Sequence, residues 1–251
     1  MALQEQFRTQ GNFLFRYRSF FPIPLFIAGL AYFCYIQYYG VGIAISESVY
    51  FIGLGVGLFG LFVRTLIIGY VPSGTSGRNR EKQVAEVLNT KGMYSVVRHP
   101  LYVGNYFMWL GVAIITGSVW FVLVFSLVYW IYYERIMYAE EAFLRDKFGN
   151  TYLEWANGVP SFIPDLSKWQ NADSYFSVRN VLKREYIGFF NLIVVIYVFH
   201  LIASLFANNG SIVPVTQYDW IWLGILAFAV LVFIVIRILH KGTKVLDVEG
   251  R

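Results

Sequence analysis

The sequence predicts an all-α integral membrane protein with six transmembrane helices, two of them joined in a tight hairpin. Three observations carry this. First, 57% of the 251 residues are hydrophobic and only 14% are charged, with a mean hydropathy of +0.55. A soluble domain is nearer half apolar and a quarter charged, so the excess must face lipid. Second, the apolar runs are continuous rather than alternating, which selects helices over barrel strands. Third, 19 of the 20 basic residues fall in segments that lie on one side of a six-crossing layout. This composition excludes a soluble α/β enzyme, and with Cys34 as the single cysteine it excludes a disulfide scaffold. The net charge of +5 suits basic loops at an anionic membrane face better than a nucleic-acid partner.

The first crossing is expected at Pro22 to Ile43, which holds no charge. The second, Ser48 to Val71, carries only Arg64. The run from Leu101 to Tyr133 is 33 residues long. That is too long for one crossing, and a hairpin turning at Thr116-Gly117-Ser118 accommodates it. Crossings five and six are expected at Tyr186 to Ala207 and Tyr218 to Leu239, with the turn at Asn208-Asn209-Gly210-Ser211. The loops 44–47, 116–118 and 208–217 hold no basic residue, so the positive-inside rule places both termini and the loops 72–100 and 134–185 in the cytoplasm. No cleavable signal peptide is expected, and Ser73-Gly74-Thr75-Ser76-Gly77 reads as a local flexible turn. The chain divides into an N-terminal segment with the first crossing (1–47), a central unit (48–174) and a C-terminal extension (175–251).

The candidate chemistry lies in the two long loops. Pro100 is placed for the first turn of the third crossing, so Arg98 and His99 stand at a helix N-terminus beside the membrane surface, an anion-friendly corner. The fourth crossing is expected to continue as helix from Tyr133 to Arg145 and to end at Gly149-Asn150. Within it, Glu140 and Glu141 point about 100° apart. Glu141 has Arg145 four residues on and reads as half of an ordinary helical ion pair. Glu140 has Leu144 there instead, which makes it the better ligand-binding carboxylate. His200 reads as a packed histidine, and Gly53, Gly55, Gly57 and Gly60 as close helix packing rather than a nucleotide loop. No metal-ligand cluster is evident.

The ordered set Gly92-x-Tyr94-x-x-x-Arg98-His99-Pro100-x-Tyr102, a membrane hairpin, Glu140-Glu141, then Phe148-Gly149-x-x-Tyr152-x-x-Trp155-x-x-x-Val159-Pro160 resembles the isoprenylcysteine carboxyl methyltransferase family. The phospholipid N-methyltransferases share the Arg-His-Pro and paired-Glu elements. The resemblance covers roughly residues 55–165. It implies a membrane enzyme that uses S-adenosyl-L-methionine, held without a Rossmann domain in a pocket formed by the hairpin and the cytoplasmic loops. It further implies cofactor contacts at Glu86, Val87, Leu88 and Asn89, at Tyr94, at His99, Pro100, Leu101 and Tyr102, and at Glu140 with Glu141 beside it. Arg98, His99 and Glu140 are the expected catalytic group. The chain departs from the prenylcysteine pattern twice. Glu86 stands where those enzymes commonly have histidine, and Ile136 stands where they have an arginine for the substrate carboxylate. The expected acceptor is therefore a membrane lipid with an anionic headgroup, phosphate or carboxylate, with lipid A phosphate one instance, and Arg64 and Arg135 are the expected headgroup ligands. The competing classes are an NAD(P)H-dependent reductase of the sterol-reductase type and a non-enzymatic transport or assembly factor. The paired glutamates weigh against the first, and the near absence of intramembrane polar residues against the second.

Overall fold

The computed structural model describes residues 2–40, 46–71, 83–208, 210–211 and 213–248. The glycine- and serine-rich turn at 73–77, Arg78, Arg80 and Lys82 of the first long loop, and Asn209 of the last turn lie outside the described residues. The chain is helical, with no strand among the described residues. In order, the helices are α1 (Leu3–Tyr17), α2 (Pro22–Tyr39), α3 (Glu47–Tyr70), α4 (Met93–Val96), α5 (Pro100–Ile115), α6 (Val119–Phe148), α7 (Asn150–Gly158), a 3₁₀ turn (Leu166–Lys168), α8 (Val178–Ala207) and α9 (Gln217–Gly242).

Among the described residues four helices (α3, α6, α8 and α9) are long and apolar enough to cross a bilayer, and α1 with α2 makes a fifth if that pair, bent by 73°, is taken as one span. The sequence reading counted six. The difference lies in α5, which has 16 residues, short of the roughly 20 that a full crossing needs. Pro100 starts it and the turn through Gly117, at φ +68°, ends it. A left-handed φ is cheap only for glycine, so the sequence fixes this hairpin corner. Across it, Ser118 caps α6 by accepting from the Phe121 N–H. Helix α6 then runs unbroken for 30 residues and stops at Gly149, φ +55°. It thus carries Glu140 and Glu141 on a continuation of its apolar part. Helix α1 has no counterpart among the apolar runs. Its apolar residues are spaced to form one face, which packs along α6 through Phe15.

Two contacts position the site. Helices α3 and α5 meet backbone to backbone. A Cβ on Gly60 would lie 2.5 Å from the Gly104 carbonyl, and one on Gly111 would lie 2.3 Å from the Gly53 carbonyl. The glycines of α3 are therefore packing residues, as small residues commonly are between membrane helices. The C-terminal extension packs on this pair through α8. The Asn180 amide donates to the Ile68 carbonyl at 2.7 Å, and Phe33, Tyr50, Ile115, Ile196, Phe199 and Trp222 join α2, α3, α5, α8 and α9 in one buried cluster. Helix α8 begins eight residues before the expected apolar run, because its first turns are charged.

Candidate active site

The segment from Val96 to His99 is held against the return loop after α7. The Arg98 N–H donates to the Pro160 carbonyl at 2.8 Å, the His99 N–H to that of Ser161 at 3.2 Å, and the Asp165 N–H to that of Val96 at 2.9 Å. Pro100 lacks an N–H and forces His99 out of the helical region, to φ −120° and ψ 58°. The His99 side chain thereby turns towards α6.

There it meets both glutamates. His99 Nε2 lies 3.0 Å from Glu141 Oε1, and Nδ1 lies 3.5 Å from Glu140 Oε2. The Tyr102 hydroxyl donates to Glu140 Oε1 at 2.8 Å. Arg98 Nε donates to Glu141 at 2.9 Å, and its Nη1 donates to the carbonyls of Ala156 (2.8 Å) and Val159 (2.6 Å). Burial alone would push the His99 imidazole down. The hydrogen bonds and charges of Glu140 and Glu141 outweigh it and hold the pKa above the ordinary histidine value. A carboxylate at each nitrogen favours the imidazolium form, which has two N–H donors and no acceptor. Burial, then the Glu140 charge, raises the Tyr94 hydroxyl far out of its ordinary range despite Arg184 nearby, so Tyr94 keeps its proton.

These groups border a cavity of about 710 Å³. Of the residues expected from sequence, Val87, Leu88, Asn89, Tyr94, Arg98, His99, Pro100, Leu101, Tyr102, Glu140 and Arg64 line it. Three do not. Glu86 is exposed and is not part of the cavity lining. Glu141 stands behind Arg98 and His99, and these replace the expected partner Arg145. Tertiary partners win here because they are shielded from water, where an exposed helical pair is worth only a few tenths of a kcal/mol. Arg135 lies over the Phe7 ring of α1 at 3.5 Å and pairs with its neighbour Glu134 at 3.0 Å. It is thus turned away from the cavity. Arg64 does line the cavity, but its guanidinium is already engaged within the protein. Its Nε and Nη2 donate to the two oxygens of Glu185 at 2.7 Å each, and Nη1 donates to Asn105 at 2.6 Å.

Sequence reasoning missed two walls. The α1–α2 corner supplies Arg18, Ser19 and Pro22, and α8 supplies Arg184, Glu185 and Ile187. The signal for α8 was present in the charged turns that precede its apolar run. The signal for α1 lay in its helical periodicity, which a search for long apolar runs passes over.

The donor set fits S-adenosyl-L-methionine. Asn89 Nδ2 is buried at the cavity wall with no hydrogen-bond partner, a cost of about 1–3 kcal/mol unless a ligand acceptor meets it. Glu140 offers carboxylate lone pairs to hydroxyl or ammonium donors. Tyr94 and Tyr102 offer aromatic faces to a cation. Among the described residues no group of three or more His, Cys, Asp or Glu side chains is arranged to hold a metal ion.

Comparison with known proteins finds similarity over the central part of the chain. The phospholipid methyltransferase family matches residues 48–151. The protein-S-isoprenylcysteine O-methyltransferase of Schizosaccharomyces pombe is 41% identical over 90 residues, 36% of each chain. Protein-S-isoprenylcysteine O-methyltransferase B of Arabidopsis thaliana is 37% identical over 78 residues, 31% of this chain and 39% of that one. The cobalt-zinc-cadmium resistance protein CzcN of Cupriavidus metallidurans is 30% identical over 122 residues, 49% of this chain and 54% of that one. The chain thus spans about a third to a half of the length of these curated relatives. No solved structure matches it. The matched residues 48–151 hold α3, the Arg98-His99-Pro100 corner, the hairpin and the paired glutamates, so it is this central part of the chain that is similar to the phospholipid and isoprenylcysteine methyltransferases.

Proposed function

We propose that this protein is an integral membrane methyltransferase that uses S-adenosyl-L-methionine to O-methylate a lipid with an anionic headgroup, a phosphate or a carboxylate, with lipid A phosphate among the candidates. The observation that carries the reading is the cavity wall itself: a buried, unpartnered Asn89 amide and the Glu140 carboxylate face one space at the mouth of a membrane hairpin. When bound, the cofactor supplies an electrophilic methyl group on a sulfonium. The protein's part is alignment and exclusion of water. Asn89 and Glu140 would hold polar groups of the cofactor, and Tyr94 and Tyr102 would wall it. His99, pinned by Glu140 and Glu141, sets the rotamer of Glu140 rather than moving a proton. An imidazolium with both N–H groups engaged has no lone pair with which to act as a base. None is needed, because a phosphate or carboxylate oxygen reaches the cavity already deprotonated at neutral pH. The positive-inside distribution supports a cytoplasmic face for the site and both termini.

Two measurements test this. Titration calorimetry of the purified protein should show saturable S-adenosyl-L-methionine binding and none of NADPH. Lipid mass spectrometry of cells with and without the gene should reveal a species heavier by one CH₂ that depends on the gene. NADPH binding in place of S-adenosyl-L-methionine would overturn the reading in favour of a reductase.

A further inference from the structure

The return loop after α7, from Pro160 to Trp169, carries an apolar face that the cavity does not use. Its backbone is held. The carbonyls of Pro160 and Ser161 accept from Arg98 and His99, the Asp165 N–H donates to Val96, and the Gln170 N–H donates to the Ser95 hydroxyl at 2.9 Å. Between the fixed residues Ser161 and Asp165 the chain turns through Phe162, Ile163 and Pro164. Ile163 is 79% exposed, Leu166 72% and Trp169 48%. Single exposed apolar residues need no account, but a contiguous set on a fixed backbone does.

The place of Phe162 points to what covers this face. Its ring centroid lies 6.2 Å from that of Tyr106 on α5 and 5.4 Å from that of Trp130 on α6. Tyr106 stands six residues beyond Pro100, about 9 Å along the helix axis at 1.5 Å per residue. The tip of the turn therefore reaches past the Arg98-His99 corner and lies alongside the hairpin. Leu123, Leu127 and Trp130 are exposed at helical spacing and form one stripe of α6, a helix long and apolar enough to cross a bilayer. That stripe faces lipid, and the turn continues it. The formal charges between Pro160 and Trp169 are Asp165 and Lys168, which pair at 3.3 Å. What the segment offers is thus apolar. Tryptophan at its end suits the headgroup level, where an amphipathic ring is commonly found.

We infer that residues 162–169 are a membrane-interface anchor: Ile163 and Leu166 insert into the boundary between headgroups and acyl chains beside the hairpin, with Trp169 at headgroup level. The partner is the bilayer surface itself. Segments of this kind sink about 5–10 Å into that boundary. The inference does not rest on the methyltransferase reading. It does bear on the site, because the carbonyls of Ala156, Val159, Pro160 and Ser161 hold Arg98 and His99. Seating the turn in lipid ties that corner to the membrane surface.

The test uses the full-length protein in phosphatidylcholine nanodiscs, with Cys34→Ala as the cysteine-free parent. Single cysteines at Ile163, Leu166 and Trp169 carry an environment-sensitive NBD label. Leu127 on the lipid-facing stripe and Glu154, exposed on α7, are the controls. Melting of each labelled variant should match the parent, since the replaced side chains are exposed. Labels at 163 and 166 should emit to the blue of the label at 154. They should be quenched by a doxyl group on the lipid acyl chain, as at 127, and little by aqueous iodide. The label at 169 should respond to both quenchers. The label at 154 should respond to iodide, which shows that the probe does not insert by itself. Labels at 163 and 166 that behave like the one at 154 overturn the anchor. Protection of both from doxyl lipid and iodide alike also overturns it, because protein, such as a second copy of the chain, would then cover the face.

Discussion

Two buried histidines, at opposite ends of α3, are each set between two acids, and they do different things. His99 lies near the C-terminal end of α3, between Glu140 and Glu141 of one helix. His200 lies near its N-terminal end, with Nε2 3.4 Å from Glu47 of α3 and 3.9 Å from Asp219 of α9. Around His200 the remaining partners are also protein groups. Trp222 Nε1 donates to Glu47 at 3.2 Å, and Asp219 Oδ2 accepts from the N–H groups of Val215 and Thr216 and so caps α9. Trp222 is fully buried there. Around His99 one acid is similarly consumed by Arg98, but Glu140 opens on the cavity beside an unpartnered amide. The residue types at the two places are alike. Each cluster has one unpartnered buried group beside it, Asn89 at one end and the Tyr50 hydroxyl against His200 and Trp222 at the other, so what separates a site from a staple is that Glu140 and Asn89 open on a cavity.

The strongest test of this contrast falls on Glu141. Glu141→Ala leaves Arg98 and His99 facing an emptied position in a largely buried setting and should cost about 3 kcal/mol of stability, the lower end for breaking a buried pair. Thermal melting in detergent reads it, and an unchanged melting temperature would mean that Glu141 is no staple. Next in size, Glu140→Gln should weaken S-adenosyl-L-methionine binding by roughly 10–100-fold, the worth of one charged hydrogen bond. Its melting temperature should barely move. Calorimetry that finds the cofactor affinity intact would remove Glu140 from the site.

A smaller effect is expected at the other histidine. His200→Ala should lower stability by about 1–2 kcal/mol through the lost hydrogen bond and packing, with cofactor affinity equal to wild type. A change in affinity would show that the two ends communicate. The smallest effect is the pH dependence of His99. Its pKa is raised in the folded protein, so its contribution is complete below the unfolded value of about 6.5 and is lost as pH rises through the folded value. The melting difference between wild type and His99→Gln should therefore be greatest in mild acid and shrink towards alkaline pH. A difference that stays constant over that range would mean that His99 carries no extra proton.

What the sequence made legible follows from range. The hairpin corner at Gly117, the unbroken run of α6 and its stop at Gly149 are local events, decided by glycine and by apolar continuity. Most of the lining residues came from an ordered motif, Arg98-His99-Pro100 with the paired glutamates. Partner choice was another matter. Glu141 was assigned to Arg145 because helical spacing shows only neighbours on one helix, whereas its partners are 42 and 43 residues away. Arg64 and Glu185 are 121 residues apart, and no periodicity links them. His200 likewise finds its acidic neighbours, Glu47 and Asp219, on other helices. The two added walls escaped because their segments mix charge with apolar residues, which lowers the contrast that marks a span.

The seam of α3 and α5 makes part of this molecule a stator. With Gly53, Gly60, Gly104 and Gly111 in backbone contact, neither helix can slide or tilt against the other without driving main-chain atoms together. If the acceptor is a lipid, as proposed, its admission must be a movement of the periphery, of the α1–α2 corner or of α8, around a fixed axis. Amide hydrogen exchange should find the slowest exchange along that seam and faster opening at residues 18–22 and 176–185. A lineage could then exchange one gate for another, and one lipid for another, without disturbing the axis on which the chemistry turns.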